Sequence, residues 1–231
     1  MLLSLSGMLK AGEERPRMRS FKNIILEIIE ELDERDKIRE KVLSLSREVI
    51  RYAGFAIRAM HRGELRDAEE KLKMAEELLR EAVTATARCE EYVYKGFMTT
   101  AFQEYVEARL LHAFITGREL PSPRELGVPS IPYLMALGDF VGELRRNALI
   151  CMKDGKFEDA EKALELMEEV YMNMMLIDYP EMSSLGFRQK CDFARSLLER
   201  TRAELLLVSQ EAKLAEMIER LLKERDEKHE V

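Results

Sequence analysis

Apolar residues recur at helical spacing along almost the whole chain, and that pattern constrains the fold more than any other feature. Over residues 21–60 they fall at Ile24, Ile28, Leu32, Ile38, Val42, Leu45, Val49, Ala53, Ala56 and Met60, mostly three or four apart. Such steps return one face of a helix every turn, whereas a strand would alternate every second residue. Four of the six prolines (Pro121, Pro123, Pro129, Pro132) fall in one short stretch. Turn residues elsewhere are too sparse for a sandwich or barrel. The expected fold is therefore all-α: a single domain over 21–222, with a disordered or variable segment at 1–20 and a charged tail at 223–231.

The same reading places the helices. One runs over 21–60 and ends at Gly63. A second starts near Glu64 and carries Leu65, Ala68, Leu72, Ala75, Leu79 and Ala82 into a segment, 92–114, apolar on almost all sides. Ser122 before Pro123 signals the N-cap of a short helix in the proline-rich connector. Helices follow at 133–152 and 157–177, and a last one begins near Ser183 or Ser184 and dissolves in ERDEKHEV. MHRGELRDAEEKL (60–72) parallels MKDGKFEDAEKAL (152–164). Each reads as a tight helix corner with Gly closing one helix and an acidic residue opening the next. Their wide separation makes them two similar corners in one domain rather than a solenoid.

Composition limits function. The 231 residues carry a formal charge of −7, so coating nucleic acid with the whole surface is excluded and any such site must be a local basic patch. No apolar run reaches membrane-spanning length. The start of the chain lacks the basic flank and long apolar stretch of a secretion signal. Three cysteines without CxxC spacing point to a reducing compartment, the cytoplasm, rather than to a disulfide framework or zinc ribbon. Three Asn and three Gln beside abundant Glu, Lys and Arg match the bias of thermophiles. No Walker loop, GxSxG or GxGxxG is present.

Carboxylates inside apolar helices are the chemical signal. FMTTAFQEYVEARLLHAFITG (97–117) holds only Glu104, Glu107 and Arg109 as charges, and YLMALGDFVGELRRNALICM (133–152) holds Asp139, Glu143, Arg145 and Arg146. Glu104 and Glu107 are i,i+3 and Asp139 and Glu143 are i,i+4, so each pair shares a helix face. Four acids brought together without partners would raise one another's pKa or destabilise the fold. A divalent cation held by Glu104, Glu107, Asp139 and Glu143 resolves the conflict, and oxygen-only donors suit Mg²⁺, Mn²⁺ or Ca²⁺ over zinc or copper. The alternative is structural ion pairing, with Arg146 on Glu143 and another Arg on Glu107. His112, five residues from Glu107, turns to another face, and the Glu-x-x-His motif of di-iron bundles is absent. Arg47, Arg51, Arg58 and Arg62 form a second feature. They fall within about 60° on the first helix at 100° per residue, with no acid from Val49 through Gly63. Such a stripe fits phosphate contacts or a solvated face. His61 reads as a residue that suits a helix C-terminus.

At FQEYVEA (102–108) followed by YLMALGDFVGELRR (133–146), the chain resembles the translin superfamily, in its translin-associated factor X branch. REKVLSLSREVIRYAGFAIRAMHRG (39–63) and RQKCDFARSLLERTRAELL (188–206) add supporting similarity. The resemblance implies an all-helical fold of about seven helices and a homo-oligomer, octameric in its closed-shell form. It also implies binding of single-stranded RNA or single-stranded DNA inside that shell, and Mg²⁺- or Mn²⁺-dependent endoribonuclease activity. The catalytic acids it implies fall on Glu104, Glu107 and Asp139, with Glu143 as the companion glutamate. The basic segment that translin subunits carry before the first motif helix reads TARCEEYVYKGF here, where Glu90 and Glu91 dilute Arg88 and Lys95. The stripe Arg47, Arg51, Arg58 and Arg62 is its substitute as an RNA contact.

Overall fold

The computed structural model describes residues 20–94 and 96–229, and among them helix is the only regular secondary structure. The helices are α1 (Phe21–His61), α2 (Leu65–Ala85), α3 (Gly96–Ile115), α4 (Pro123–Leu126), α5 (Ser130–Lys153), α6 (Phe157–Met174), α7 (Pro180–Ser184) and α8 (Phe187–His229). Two of the eight, α4 and α7, are single turns. The all-α expectation is met. The 1–20 segment, apart from Ser20, and the end of the charged tail lie outside the described residues, as do Lys95 and the side chains of Arg88 and Glu90.

Periodicity became packing in a definite order. α1 lies against α2 and α3, α3 against α5, and α5 against α6 and α8. The acid-bearing helices α3 and α5 are thus the middle pair. The α1–α2 hairpin covers one side of that pair, and α6 with α8 covers the other. The apolar character of α3 follows from this position: Met98, Phe102, Tyr105, Leu110 and Leu111 are all essentially inaccessible. From α5, Phe140, Val141 and Leu144 close the same core. Side chains of this kind each contribute about 1.5–3 kcal/mol on burial, so these two helices carry a large share of the core.

Both helix corners form as the repeated sequence requires. Glu64 N–H reaches Ala59 O at 2.9 Å and Gly63 N–H reaches Met60 O at 2.9 Å; Lys156 to Cys151 (2.8 Å) and Gly155 to Met152 (3.1 Å) repeat the pattern. Gly63 and Gly155 sit at φ +78° and +72°, the left-handed turn that satisfies the last carbonyls of α1 and α5. Ser122 caps α4 in a full capping box with Glu125.

Three details differ from the sequence expectation. The run into 92–114 is broken, since Thr86–Arg88 and Glu90–Tyr94 are 3₁₀ turns and α3 starts at Gly96. The last helix starts at Phe187, because the turn at Pro180–Ser184 stops at Gly186. Its backbone continues as helix to His229 rather than dissolving in ERDEKHEV, in keeping with the high helix propensity of Glu, Arg and Lys.

Candidate functional site

Glu104 and Glu107 leave α3 on the face turned to α5, and Asp139 and Glu143 leave α5 on the face turned to α3. All four line one pocket of about 420 Å³. Arg58 and Ile57 close it from α1, Arg146 from α5 and Phe193 from α8. The α3–α5 contact brings the two pairs to this pocket.

Burial and mutual repulsion set the electrostatics. Glu107 is 9% exposed. Its carboxyl is pushed up from 4.5 to about 8, first by desolvation and then by Glu104, Asp139 and Glu143, with Lys190 opposing. Glu104, half-buried, is raised by desolvation and then by Asp139 and Glu143, again with Lys190 opposing. Neither glutamate makes a hydrogen bond or ion pair among the described residues. Glu107 therefore stays largely protonated at neutral pH, which removes one charge from a crowded site.

The α5 acids are held differently. The Lys190 ammonium, from α8, binds the Asp139 Oδ2. His61 Nε2, at the end of α1, meets Glu143 Oε2, and Arg146 stands 3.9 Å from the same oxygen. The His61 side chain is 3% exposed, and its Nδ1 is buried without a partner. The acids of α5 thus have bases beside them, among them the Arg146 that the ion-pair alternative placed on Glu143. Among the described residues no three acidic, histidine or cysteine side chains are arranged to hold an ion together. Asp139 is paired with Lys190, and Glu143 with His61 and Arg146. The donor chemistry still fits an oxygen-preferring cation. Two unpartnered glutamates face the pocket, an aspartate and a third glutamate share its wall, and no sulfur ligand is present.

The arginine stripe splits. Arg58 lines the pocket and lies over the Phe55 ring at 4.9 Å. Arg51 pairs with Glu48 and Arg62 with Glu64, while Arg47 is exposed. The acid-free window ended one residue short of a partner at each end, so Arg51 and Arg62 have part of their charge already compensated. His112 is buried among Arg118, Arg109 and Glu69, away from the acids, as its spacing indicated.

Lys190 and His61 are the residues sequence reasoning missed in this site. Lys190 lay inside RQKCDFARS, a segment noted for similarity without a role for its lysine. His61 was read as a helix-end residue, and nothing in its neighbourhood signals a partner on α5. A larger groove of about 500 Å³ runs between α6 and α8, but leucines and alternating acids and bases line it, with no converging set of like groups. All three cysteines are free thiols. No helix of the described residues is long and apolar enough to cross a membrane.

The Translin family model matches residues 33–202. An uncharacterized protein of Methanocaldococcus jannaschii is 32% identical over 196 residues, spanning 84% of this chain and 86% of that protein. Among solved structures, a chain of the AfC3PO–duplex RNA complex superposes with TM-score 0.70 at 31% identity, covering 80% of this chain and 96% of that one. A chain of apo-NeC3PO superposes with TM-score 0.72 at 21% identity, covering 83% and 98%, and supports the fold alone.

Proposed function

The chain belongs to the Translin family, and from that premise we propose that it is a metal-dependent endoribonuclease acting on single-stranded RNA within a homo-oligomeric shell. The observation that carries the reading is the convergence of Glu104, Glu107, Asp139 and Glu143 on one pocket, with Glu107 pushed up to about 8. Similarity at 31% identity to a chain described in complex with duplex RNA supports RNA as the ligand.

Glu104, Glu107 and Asp139, with Glu143 beside them, would hold Mg²⁺ or Mn²⁺. Such a cation supplies stabilisation of charge on a phosphoryl group. With a cation bound, whichever of Glu104 and Glu107 it leaves partly free as a carboxylate would accept the proton of attacking water. Arg58 and Arg146 at the pocket wall are placed to pair with backbone phosphates. The exposed Arg47 extends that path along α1, and Arg51 and Arg62 join it where RNA displaces Glu48 and Glu64. Single-stranded DNA would meet the same phosphate contacts.

The shell reading rests on apolar faces left open. Ile25, Ile28 and Leu32 on α1, Met172, Met175 and Leu176 around the end of α6, and Leu214, Met217 and Leu221 on α8 are all exposed. Faces of this extent are buried between copies of a chain.

A second reading has its own observation. Lys190 on Asp139 and His61 on Glu143 are the partners a purely structural ion-pair cluster would have, which would leave a non-catalytic RNA binder. The deciding experiment incubates the purified protein with end-labelled single-stranded and duplex RNA in Mn²⁺, Mg²⁺ or EDTA. Cleavage in the cations and not in EDTA, reduced about 100-fold or more in Asp139→Asn and Glu107→Gln, supports the nuclease. RNA binding without cleavage in any cation supports the binder.

A further inference from the structure

Four carboxyls share the pocket, and the bases that answer them are unequal. Arg146 is half-exposed and reaches Glu143 at 3.9 Å. His61 serves the same glutamate from a buried position. Among the described residues only Lys190 contacts Asp139.

Its placement is built by the helix crossing. A Cβ added at Gly138 would lie 3.0 Å from Lys190 Cβ, 3.1 Å from Cδ and 3.3 Å from Cγ. The lysine stem therefore runs across the bare backbone of α5 immediately before Asp139, and a side chain at Gly138 would force it to give by a few tenths of an ångström. The crossing delivers the ammonium onto Asp139 while 24% of the side chain stays open to solvent. An ammonium and a divalent cation seek the same carboxylate lone pairs, and the Asp139 oxygen that holds one is withdrawn from the other. A dication compensates several carboxylates at once, so it can displace the monovalent group, and the unbranched lysine stem has an exit to solvent.

We propose that Lys190 is the resident counter-ion of the acidic pocket, holding Asp139 when no divalent cation is bound and competing with that cation for it. The proposal rests on the reading of the pocket as a cation site. It casts Lys190 as a positioning residue that tunes cation affinity and keeps the four acids tolerable between binding events.

The experiment titrates Mn²⁺ into the full-length protein by calorimetry and records melting temperature in EDTA and in saturating Mn²⁺. The proteins are wild type, Lys190→Met, Gly138→Ala and Glu107→Gln. Lys190→Met keeps the apolar stem and removes the charge. It should bind Mn²⁺ on the order of tenfold tighter, the scale of one ion pair. It should melt lower than wild type in EDTA and gain more from Mn²⁺. Gly138→Ala keeps every charge and crowds the stem, so it should shift Mn²⁺ affinity in the same direction, by less, even where Lys190→Met fails to fold. A merely structural lysine would lower the melting temperature equally with and without Mn²⁺ and leave affinity unchanged, which overturns the proposal. Weaker Mn²⁺ binding in Lys190→Met and Gly138→Ala overturns it as well. If Glu107→Gln abolishes binding while the lysine and glycine variants match wild type, the cation site stands and the counter-ion role falls. If wild type and all variants ignore Mn²⁺, both fall.

Discussion

Replacing Glu107 with glutamine should stabilise the protein in the absence of divalent cations, by an amount that grows with pH. The unfolded chain ionises this carboxyl near 4.5, whereas the folded chain keeps its proton up to about 8. Between those values the folded state binds more protons than the unfolded state, so this group makes stability fall as pH rises. At ~1.36 kcal/mol per pH unit the full cost is about 5 kcal/mol, of which about 1 kcal/mol is present at pH 5 and about 3 kcal/mol at pH 7. Glutamine has the same shape and no charge to desolvate. A domain of this size shifts by roughly 2–4 °C per kcal/mol. The variant should therefore melt a few degrees above wild type at pH 5 and on the order of 10 °C above it at pH 7. The assay is thermal unfolding of both proteins in EDTA at pH 5, 6, 7 and 8. Parallel curves for the two proteins would refute the reasoning, because they would mean that Glu107 ionises alike in the folded and unfolded chains. Saturating Mn²⁺ should narrow the gap, since a bound cation favours the ionised carboxylate that only wild type has.

Other consequences can be checked separately. Arg58→Ala should weaken RNA binding and reduce the slope of log affinity against log salt by about 1, while Arg62→Ala, already paired with Glu64, should change it less. Gly63→Ala meets no neighbouring atom, so its cost is the left-handed backbone alone, about 1–2 kcal/mol by chemical denaturation. The double variant Leu214→Glu, Leu221→Glu should shift the protein to smaller species in light scattering, while its far-ultraviolet dichroism stays that of an all-helical protein.

Sequence periodicity states that a face must be buried and leaves open what covers it. On α1 the stripe that packs as Val42, Val49, Ala53 and Ala56 continues backward through Leu32, Ile28 and Ile24, and there it is exposed. The pattern is the same in both halves, and only the tertiary structure distinguishes an intramolecular partner from a missing one. The acids were legible for a related reason. A charge inside an apolar helix violates the pattern that placed it there, and i,i+3 and i,i+4 spacing is enough to put two violations on one face. Their partners were not legible, because Lys190 lies 51 residues from Asp139 and His61 lies 82 from Glu143, and no periodicity spans such distances. The stripe of arginines shows the same boundary from the other side: Glu48 and Glu64 stand just outside the acid-free window and pair with Arg51 and Arg62. A charged residue's helix face is thus a local property written in spacing, whereas its state of compensation is a contact property. The candidate site depends on both. Four acids mark its place, and the bases that reach them from α1 and α8 decide how much negative charge is left for a ligand.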